Sequence, residues 1–278
     1  MQARTELAPI RRSPLSAMMA AMQSAVVGPT GTALITGASH RVGRAVALEL
    51  ARAGFGLWLT FRTRASECEE TARLAKDAAL GAGHAMTTRI DKLDLNDTAA
   101  VEAYAQLVRG SGALDCIVHN ASSFAPTVLE AIDAASVESM YRSEVVSPLL
   151  LTTRLRTPLA SSRLSGGAAV VFFSDIHAID RARAGFTPYL LAKSAVQTLA
   201  RQLAVELAPR VRVHCVAPGV IAWPEGVPTE TKDAILARTP LARAGTAEEA
   251  ARLVRFLVLE ASYLTGETIA IDGGRGLR

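Results

Sequence analysis

The sequence predicts a doubly wound α/β fold, in which one parallel sheet carries helices on both faces. Two observations lead to this prediction. Short apolar runs rich in valine, isoleucine and phenylalanine recur along the chain, as expected of strands that are covered on both faces. Segments with the apolar period of a helix separate these runs. Such alternation is typical of parallel strands joined by crossover helices.

Each predicted element follows from one such segment. Strands are expected at Ala33–Ile35, Leu57–Phe61, His84–Ile90, Leu114–His119, Ala168–Phe173, Val211–Val216 and Thr268–Ile271. Helices are expected at Arg41–Ala53, Ser66–Leu80, Asp97–Arg109, Ser136–Leu159, Pro188–Leu207 and Ala247–Leu259. Residues 31–278 are therefore predicted to form one domain. Residues 1–30 lack a periodic apolar face and are predicted to be a disordered extension.

The composition limits the kinds of binding partner and the cellular location that are expected. The formal net charge is +4, without a Lys/Arg cluster of the kind that follows nucleic acid, so no nucleic-acid partner is expected. No apolar stretch has the length of a membrane span, so no membrane partner is expected. The 3 cysteines are odd in number and widely spaced. They predict neither a disulfide framework nor a metal site, and they favour a cytoplasmic location.

The turn between the first strand and the first helix has the features of a phosphate site. It contains Gly37 and Gly43 and leads directly into the helix. Backbone N–H groups at a helix N-terminus and the helix dipole both favour a bound anion. Arg41 stands where a middle glycine is usual, and it is expected to pair with a pyrophosphate and to reach an adjacent substrate. His40 and Val42 complete the predicted cofactor-binding turn.

The residues that follow the second strand favour NADPH over NADH as the cofactor. A carboxylate at that place would bind the ribose hydroxyls of NAD. The chain has Arg62, Thr63 and Arg64 instead. Two guanidinium groups and a hydroxyl fit a 2′-phosphate. The alternative interpretation is that these arginines are only solvated residues of a loop.

A tyrosine and a lysine lie four residues apart on a predicted helix. Tyr189 and Lys193 therefore share one face of it. The lysine ammonium is expected to lower the pKa of the phenol and to make it a usable acid near neutral pH. Ser174 and Asp175 directly follow the fifth strand. Because the carboxyl ends of parallel strands meet at one edge of a sheet, these side chains are expected in the same crevice.

Motifs along the chain resemble, in order, those of the short-chain dehydrogenase/reductase family. They are the glycine turn, Asn120-Ala121, Tyr189-x-x-x-Lys193, Pro218-Gly219, Leu264-Thr265-Gly266 and Asp272-Gly273-Gly274. The resemblance covers the chain from about residue 31 to its end. It implies further cofactor contacts at Asp94, Leu95, Asn120, Ala121, Ser123, Ser174, Tyr189, Lys193, Pro218 and Gly219. It also implies a homotetramer with two-fold axes.

Within that family, the details are similar to pteridine reductases and dihydromonapterin reductases. Arg41 replaces the middle glycine of the turn, and the stretch from Asn120 to Phe124 matches the one that lines the pterin site in pteridine reductases. The ending from Asp272 to Arg278 is similar to that of the dihydromonapterin enzymes. The resemblance implies that a pterin or folate substrate contacts Arg41, Ser123, Phe124, Asp175 and Tyr189.

Asp175 stands where most members of the family have a serine, and the exchange has a chemical reason. A serine hydroxyl orients a ketone, whereas reduction of a ring C=N bond needs a proton on nitrogen. A carboxyl group that burial holds near neutrality is expected to relay this proton with Tyr189. The alternative is that Asp175 only caps the loop. Phe124 is likewise either a stacking partner for a flat heterocycle or an ordinary core residue.

Two segments depart from the family pattern or vary within it. Glu144, ahead of Pro148, occupies the place of a helical asparagine that serves the proton relay in many members. The relay through that asparagine is therefore in doubt. Residues 219–245 are rich in proline and are predicted to be a mobile flap that sets substrate specificity.

The sequence thus predicts an NADPH-dependent reductase of dihydropterins, such as dihydrobiopterin, dihydromonapterin or dihydrofolate. Its predicted catalytic residues are Asp175, Tyr189 and Lys193, with no metal. A carbonyl reductase of the 3-oxoacyl or sugar type is the first alternative, and the aspartate in the serine position counts against it. The second alternative is a cofactor-binding regulatory module without turnover, which only Glu144 supports.

Overall fold

Seven parallel strands form the sheet of the computed structural model, in the order β3-β2-β1-β4-β5-β6-β7. The strands are β1 (Gly31–Ile35), β2 (Phe55–Phe61), β3 (Thr88–Lys92), β4 (Cys116–His119), β5 (Ala168–Phe173), β6 (Val211–Pro218) and β7 (Thr268–Ile271). The predicted doubly wound fold is confirmed. The structure describes residues 30–112, 114–124, 126–221, 223 and 226–277. Apart from Thr30, the predicted extension over residues 1–30 lies outside them.

Helices cover both faces of the sheet. They are α1 (Arg41–Arg52), α2 (Ala65–Gly81), α3 (Thr98–Arg109), α4 (Ala134–Tyr141), α5 (Ser147–Arg154), α6 (Arg156–Ala160), α7 (His177–Asp180), α8 (Thr187–Glu206), α9 (Thr229–Leu236) and α10 (Ala247–Leu259). Short 3₁₀ turns occur at Leu129–Ala131 and Arg275–Leu277. None of the helices that the structure describes has the length and apolar composition of a membrane span.

The prediction of one continuous helix over Ser136–Leu159 is wrong. Between α4 and α5 the chain makes a π-helical turn at Arg142–Val146, in which the Ser147 N–H donates to the Arg142 carbonyl. Pro148 is the second residue of α5 and has no N–H to donate to the preceding turn. The wider turn accommodates this loss, and it places Glu144 among the buried residues.

The third strand begins later than the predicted His84–Ile90. The N–H groups of Gly83 and His84 donate to Leu80 O and Ala79 O, so these residues complete the end of α2. Gly83 has φ +83°, in the left-handed region that favours glycine. The strand therefore starts only at Thr88, opposite Leu57.

Two apolar cores, one on each face of the sheet, hold the helices. α1, α2 and α10 pack on one face through residues such as Val46, Ala72 and Val254. α3, α5 and α8 pack on the other, through Val101, Leu151, Val196 and neighbouring residues. The strand order reverses between β1 and β4, so a crevice opens over their carboxyl ends. The glycine turn and Asn120 both lie at this crevice.

A buried arginine joins β6 to the end of α10. Arg212 donates to the carbonyls of Gly166, Val258 and Ala261 at 2.9, 2.8 and 3.0 Å, and also to Leu257 O. These carbonyls at the end of α10 have no helical partners of their own. Arg212 thereby fixes the strand whose end carries Pro218 and Gly219 into the crevice.

Replacement of Arg212 with leucine should lower the free energy of unfolding by about 2–4 kcal/mol, because it leaves several buried carbonyls without donors. Urea unfolding followed by circular dichroism measures this change. Arg210→Leu, at an exposed position on the same segment, is the matched control and should change it by less than about 0.5 kcal/mol. Equal effects of the two substitutions would contradict the interpretation.

Candidate active site

One cleft of about 660 Å³ at the carboxyl edge of the sheet brings every predicted site residue together. Its lining includes Gly37, His40, Arg41, Val42, Gly43, Arg62, Thr63, Arg64, Asp94, Leu95, Asn120, Ala121, Ser123, Phe124, Ser174, Asp175, Tyr189, Lys193, Pro218 and Gly219. These residues come from loops after β1 to β6 and from α8. Their roles in binding and catalysis stay predictions.

The glycine turn is tightly packed against the loop that follows β4. A Cβ atom on Gly37 would lie 2.7 Å from Ala121 Cα, and one on Gly43 would lie 2.6 Å from Asn120 Nδ2. The Asn120 amide donates to Thr36 O at 3.1 Å and to Gly37 O at 2.9 Å. Asn120 therefore shapes the turn with its side chain, and the missing side chains of the two glycines permit the close approach.

Arg41 adopts φ +51°, a conformation that costs a non-glycine residue about 1 kcal/mol. It is the first residue of α1, at the place where the sequence comparison expects a glycine. A long cationic side chain in a strained backbone position points to a function for that side chain. Arg41 lines the cleft.

Positive charge surrounds the turn at the outer end of the cleft. Burial, followed by the charges of Arg64, Arg41 and Arg44, lowers the pKa of His40. Arg62, Thr63 and Arg64 are exposed, and Arg64 makes a 3.5 Å contact with Glu67. The combination of cations and a helix N-terminus has the donor set that phosphate groups require.

The opposite wall of that end is formed by the loop after β3. Asp94 accepts from the Asn96 N–H at 2.9 Å, and the buried Leu95 has its carbonyl held by Ser147 Oγ at 2.6 Å. Both residues are fixed by local hydrogen bonds. They are therefore positioned to shape the cleft wall beside the turn.

A buried ion pair occupies the inner end of the cleft. Lys193 Nζ lies 2.8 Å from Glu144 Oε2, and both side chains are only 3% exposed. Lys193 also donates to Phe173 O at 2.8 Å, while Glu144 Oε1 accepts from the Ser123 N–H at 3.2 Å. Glu144 thus takes a charged hydrogen-bonding role at the position where the family pattern has asparagine.

The expectation that Lys193 lowers the pKa of Tyr189 is wrong for this structure. Burial raises that pKa, and the carboxylates of Asp175 and Glu144 raise it further. The Lys193 ammonium is neutralised by Glu144, and its Nζ lies 5.6 Å from the centroid of the phenol ring. Tyr189 therefore holds its proton firmly at neutral pH.

Asp175 links Tyr189 to a histidine that the sequence interpretation missed. Asp175 Oδ2 accepts from the Tyr189 hydroxyl at 3.3 Å. Its Oδ1 lies 2.8 Å from both the backbone nitrogen and Nδ1 of His177. Burial raises the pKa of Asp175, but the bonds from His177 and Tyr189 outweigh it and the pKa lies below its ordinary value. The expectation of a carboxyl group held near neutrality by burial is therefore wrong.

Ser174 does not offer its hydroxyl to the cleft. The side chain is buried, and Ser174 Oγ donates to Lys193 O at 2.9 Å and accepts from Gln197 Nε2 at 2.9 Å. The serine next to Asp175 therefore fixes α8 against β5. It leaves Asp175 as the polar side chain beside the Tyr189 hydroxyl.

An aromatic wall flanks Tyr189 on the substrate side. Phe124 is 46% exposed, so it is not a core residue. Its ring stacks on Phe186, with centroids 4.9 Å apart, and meets Tyr189 edge-on at 5.2 Å. Arg183 lies over both phenylalanine rings. An aromatic ring exposed to this extent is suited to contact with a flat ligand.

Several further residues of this cleft were missed by the sequence interpretation. They are His177, Arg183, Trp223, Val227, Thr231, Ile235 and Arg275. Trp223 to Ile235 belong to the predicted flap over residues 219–245, which contains the unpredicted α9. His177 lies two residues after Asp175, which follows the end of β5, and this spacing could have predicted that His177 belongs to the site.

A family model described as "Enoyl-(Acyl carrier protein) reductase" matches residues 37–275, which include the turn, the tyrosine–lysine pair and the end of the sheet. The chain belongs to the short-chain dehydrogenase/reductase family. Members of this family are oxidoreductases that bind a nicotinamide cofactor, and the arrangement of the cleft agrees with that activity.

Relatives within the family have different activities. A 3-oxoacyl-(acyl-carrier-protein) reductase from Aggregatibacter actinomycetemcomitans is 31% identical over 87% of this chain and 98% of its own. Pteridine reductase 1 from Leishmania tarentolae is 27% identical over 88% and 96%. A solved short-chain type dehydrogenase/reductase from Mycobacterium ulcerans has a TM-score of 0.80, with 25% identity over 91% of this chain and 92% of that one.

Removal of Glu144 alone should be much more damaging than removal of the whole ion pair. Glu144→Leu leaves the Lys193 charge buried and should lower the free energy of unfolding by about 3–5 kcal/mol. Glu144→Leu/Lys193→Met removes both charges at similar volume and should recover most of that loss. Urea unfolding of wild type, both single variants and the double variant gives the coupling energy. A coupling below about 0.5 kcal/mol would show that the pair is not a unit.

Proposed function

We propose that this short-chain reductase uses NADPH to reduce a ring C=N bond of dihydropterins to the tetrahydro form. The observation that carries the proposal is the carboxylate of Asp175 on the Tyr189 hydroxyl, at 3.3 Å. Asp175 replaces the serine that would orient a ketone, and the hydroxyl of the neighbouring Ser174 cannot take over that role because it is engaged with Lys193 O and Gln197. The carboxylate beside the tyrosine is thus suited to return a proton to Tyr189 after the phenol has given its own to the substrate nitrogen.

The chain's own residues fit NADPH. The turn at Gly37 leads into the N-terminus of α1, which suits a pyrophosphate, and Arg62 and Arg64 stand exposed for the 2′-phosphate. Lys193 would hold the nicotinamide ribose, and Asp94 would lie toward the adenine. When bound, the cofactor supplies a hydride to the substrate carbon.

Proton delivery follows from the order of hydrogen bonds. Tyr189 keeps its proton until the substrate nitrogen becomes basic, and its O–H bond then breaks as the new N–H bond forms. The phenolate regains a proton through Asp175, which receives one from His177 Nδ1. His177 takes its replacement from water. Asp175 therefore relays a proton rather than storing one, as its lowered pKa requires.

The aromatic wall and the glycine turn would bind the substrate. The exposed face of Phe124 would stack on the pterin ring, and Arg41 and Ser123 would hold its edge. The flap over residues 219–245 would close the remaining side through Trp223 and α9. These contacts would hold a flat heterocycle beside Tyr189.

A 3-oxoacyl or other carbonyl reductase is the second candidate. The observation that favours it is the 31% identity to the 3-oxoacyl-(acyl-carrier-protein) reductase, which exceeds the 27% to pteridine reductase 1. NADPH oxidation measured with dihydrobiopterin, dihydrofolate and an acetoacetyl thioester decides between them. Turnover of the thioester alone would reject pterin reduction, and no turnover with any of the three would favour a regulatory module.

We propose further that the enzyme is a cytoplasmic homotetramer. Exposed apolar side chains on the helices support an assembly, since Tyr141 on α4 and Leu191 and Val205 on α8 are 46%, 60% and 78% exposed. Three buried free cysteines fit a reducing compartment. Light scattering measures the mass in solution.

Asp175→Ser should lower turnover of dihydrobiopterin by about 10²–10⁴-fold, because the variant loses the proton relay. Tyr189→Phe should lower it similarly, and the double variant should be little worse than either single variant. Steady-state kinetics across pH measure these effects, and circular dichroism checks the fold. Asp97→Ser keeps an N-cap on α3 and is the matched control. Near-wild-type turnover by Asp175→Ser would end the relay hypothesis.

Arg62→Ala/Arg64→Ala should raise the KM for NADPH by about 10–100-fold, because two charge-assisted contacts to the 2′-phosphate are lost. The KM for NADH, which lacks this phosphate, should change by less than about two-fold. Arg109→Ala on the exposed end of α3 serves as control. If the double variant keeps the wild-type preference, the phosphate is bound elsewhere.

A further inference from the structure

Arginine side chains gather at the end of the cleft that holds Tyr189. Arg183, between α7 and α8, and Arg275, in the 3₁₀ turn after β7, both line this end. Arg181 Nη2 donates to Gly276 O at 2.8 Å, across 95 positions of sequence, and so joins the two segments. The cluster is thus built by the fold and not by one basic stretch.

Aromatic rings rather than a carboxylate hold the Arg183 guanidinium. Its carbon lies 4.0 Å from the Phe186 centroid and 5.6 Å from that of Phe124. Stacking uses the face of the group and leaves its N–H edge for an acceptor. In the part of the chain that the structure describes, neither Arg183 nor Arg275 makes a salt bridge.

Nearby carboxylates are already engaged. Asp175 accepts from His177 and Tyr189. Asp272 accepts from the N–H groups of Gly274 and Gly276. Burial lowers the pKa of Arg275, and the charges of Arg183 and Arg181 lower it further, against the opposing effect of the two aspartates. An anion between the arginines would relieve their repulsion.

We propose that Arg183 and Arg275 form an anion subsite that selects dihydropterins whose side chain carries a carboxylate or a phosphate. This inference rests on the proposed pterin reduction and adds to it the charge of the substrate. With the pterin ring on Phe124, the side chain extends toward the two guanidinium groups. The planar guanidinium binds either anion through paired N–H donors.

The test compares a neutral substrate, dihydrobiopterin, with dihydrofolate and dihydroneopterin monophosphate. Arg183→Gln and Arg275→Gln should each raise the KM for the anionic substrates by about 10–100-fold, with kcat within about two-fold. The KM for dihydrobiopterin should stay within about two-fold. Arg163→Gln, exposed and outside the cleft, is the control and should change none of these values.

The pattern across substrates identifies the anion. An increase in KM for dihydrofolate alone assigns the subsite to carboxylates, and an increase for the monophosphate alone assigns it to phosphates. Equal increases for all three substrates would overturn the subsite, because the arginines would then act on the pterin ring or on the fold. Unchanged KM values for both anionic substrates would overturn it as well.

Binding without turnover separates the subsite from the reaction. Folate, neopterin monophosphate and biopterin are titrated calorimetrically into enzyme loaded with NADP⁺, which has no hydride to give. If the glutamine variants abolish anion-dependent binding and none of the dihydropterins supports NADPH oxidation, the subsite is retained and pterin reduction is rejected. If the enzyme turns over dihydrobiopterin, but wild type and variants bind the anionic ligands equally, the subsite is rejected and the reaction is retained.

Discussion

The contact between Glu144 and Lys193 connects four segments at the catalytic end of the cleft. Through these two side chains, the π-helical turn is bound to α8, to the end of β5 at Phe173 and to the loop after β4 at Ser123. An ion pair this deeply buried is costly to break, since either charge alone would be left in a medium of low dielectric. The positions of Tyr189 and Phe124 therefore depend on a pair that lies behind them.

That pair also contributes to the electrostatics of the tyrosine. In a site where a free ammonium faced the phenol, the phenolate would be favoured. Here burial raises the pKa of Tyr189, the carboxylates of Asp175 and Glu144 raise it further, and Glu144 neutralises the ammonium that would oppose them. The pKa of Asp175 moves the other way, because His177 and Tyr189 both donate to it. Neighbouring acids with divergent pKa values have an unambiguous direction of proton flow.

The fold and the membership of the cleft were predictable because they depend on local patterns. Buried strands, helical periodicity and strand-end polar residues all leave direct traces in sequence, and β5, β7 and α10 were predicted with their observed bounds. The π-helical turn was not predicted, since a single proline within an apolar periodicity does not tell whether a helix ends or widens.

The charges and pKa directions of the site residues could not be predicted from the sequence. The spacing of Tyr189 and Lys193 gives a shared helix face, but the partner of the lysine comes from a segment 49 positions away. The charge on Asp175 likewise depends on the direction of the His177 ring, which tertiary packing sets. The motif predicts only an interaction between its two members. In the structure Lys193 is paired with Glu144, and Tyr189 donates to Asp175.

Arginines from two regions of the cleft, the glycine turn and the segments beside Tyr189, give the site two separate areas of positive charge. Arg41, in a left-handed backbone position that glycine would occupy without strain, carries its charge toward the turn. Arg183 and Arg275 carry theirs at the far end. Cations separated in this way favour a ligand set with anions at its two extremities and a neutral reacting centre in the middle. A nicotinamide dinucleotide phosphate followed by a pterin with a charged side chain has that distribution, whereas a small neutral ketone uses only half of it.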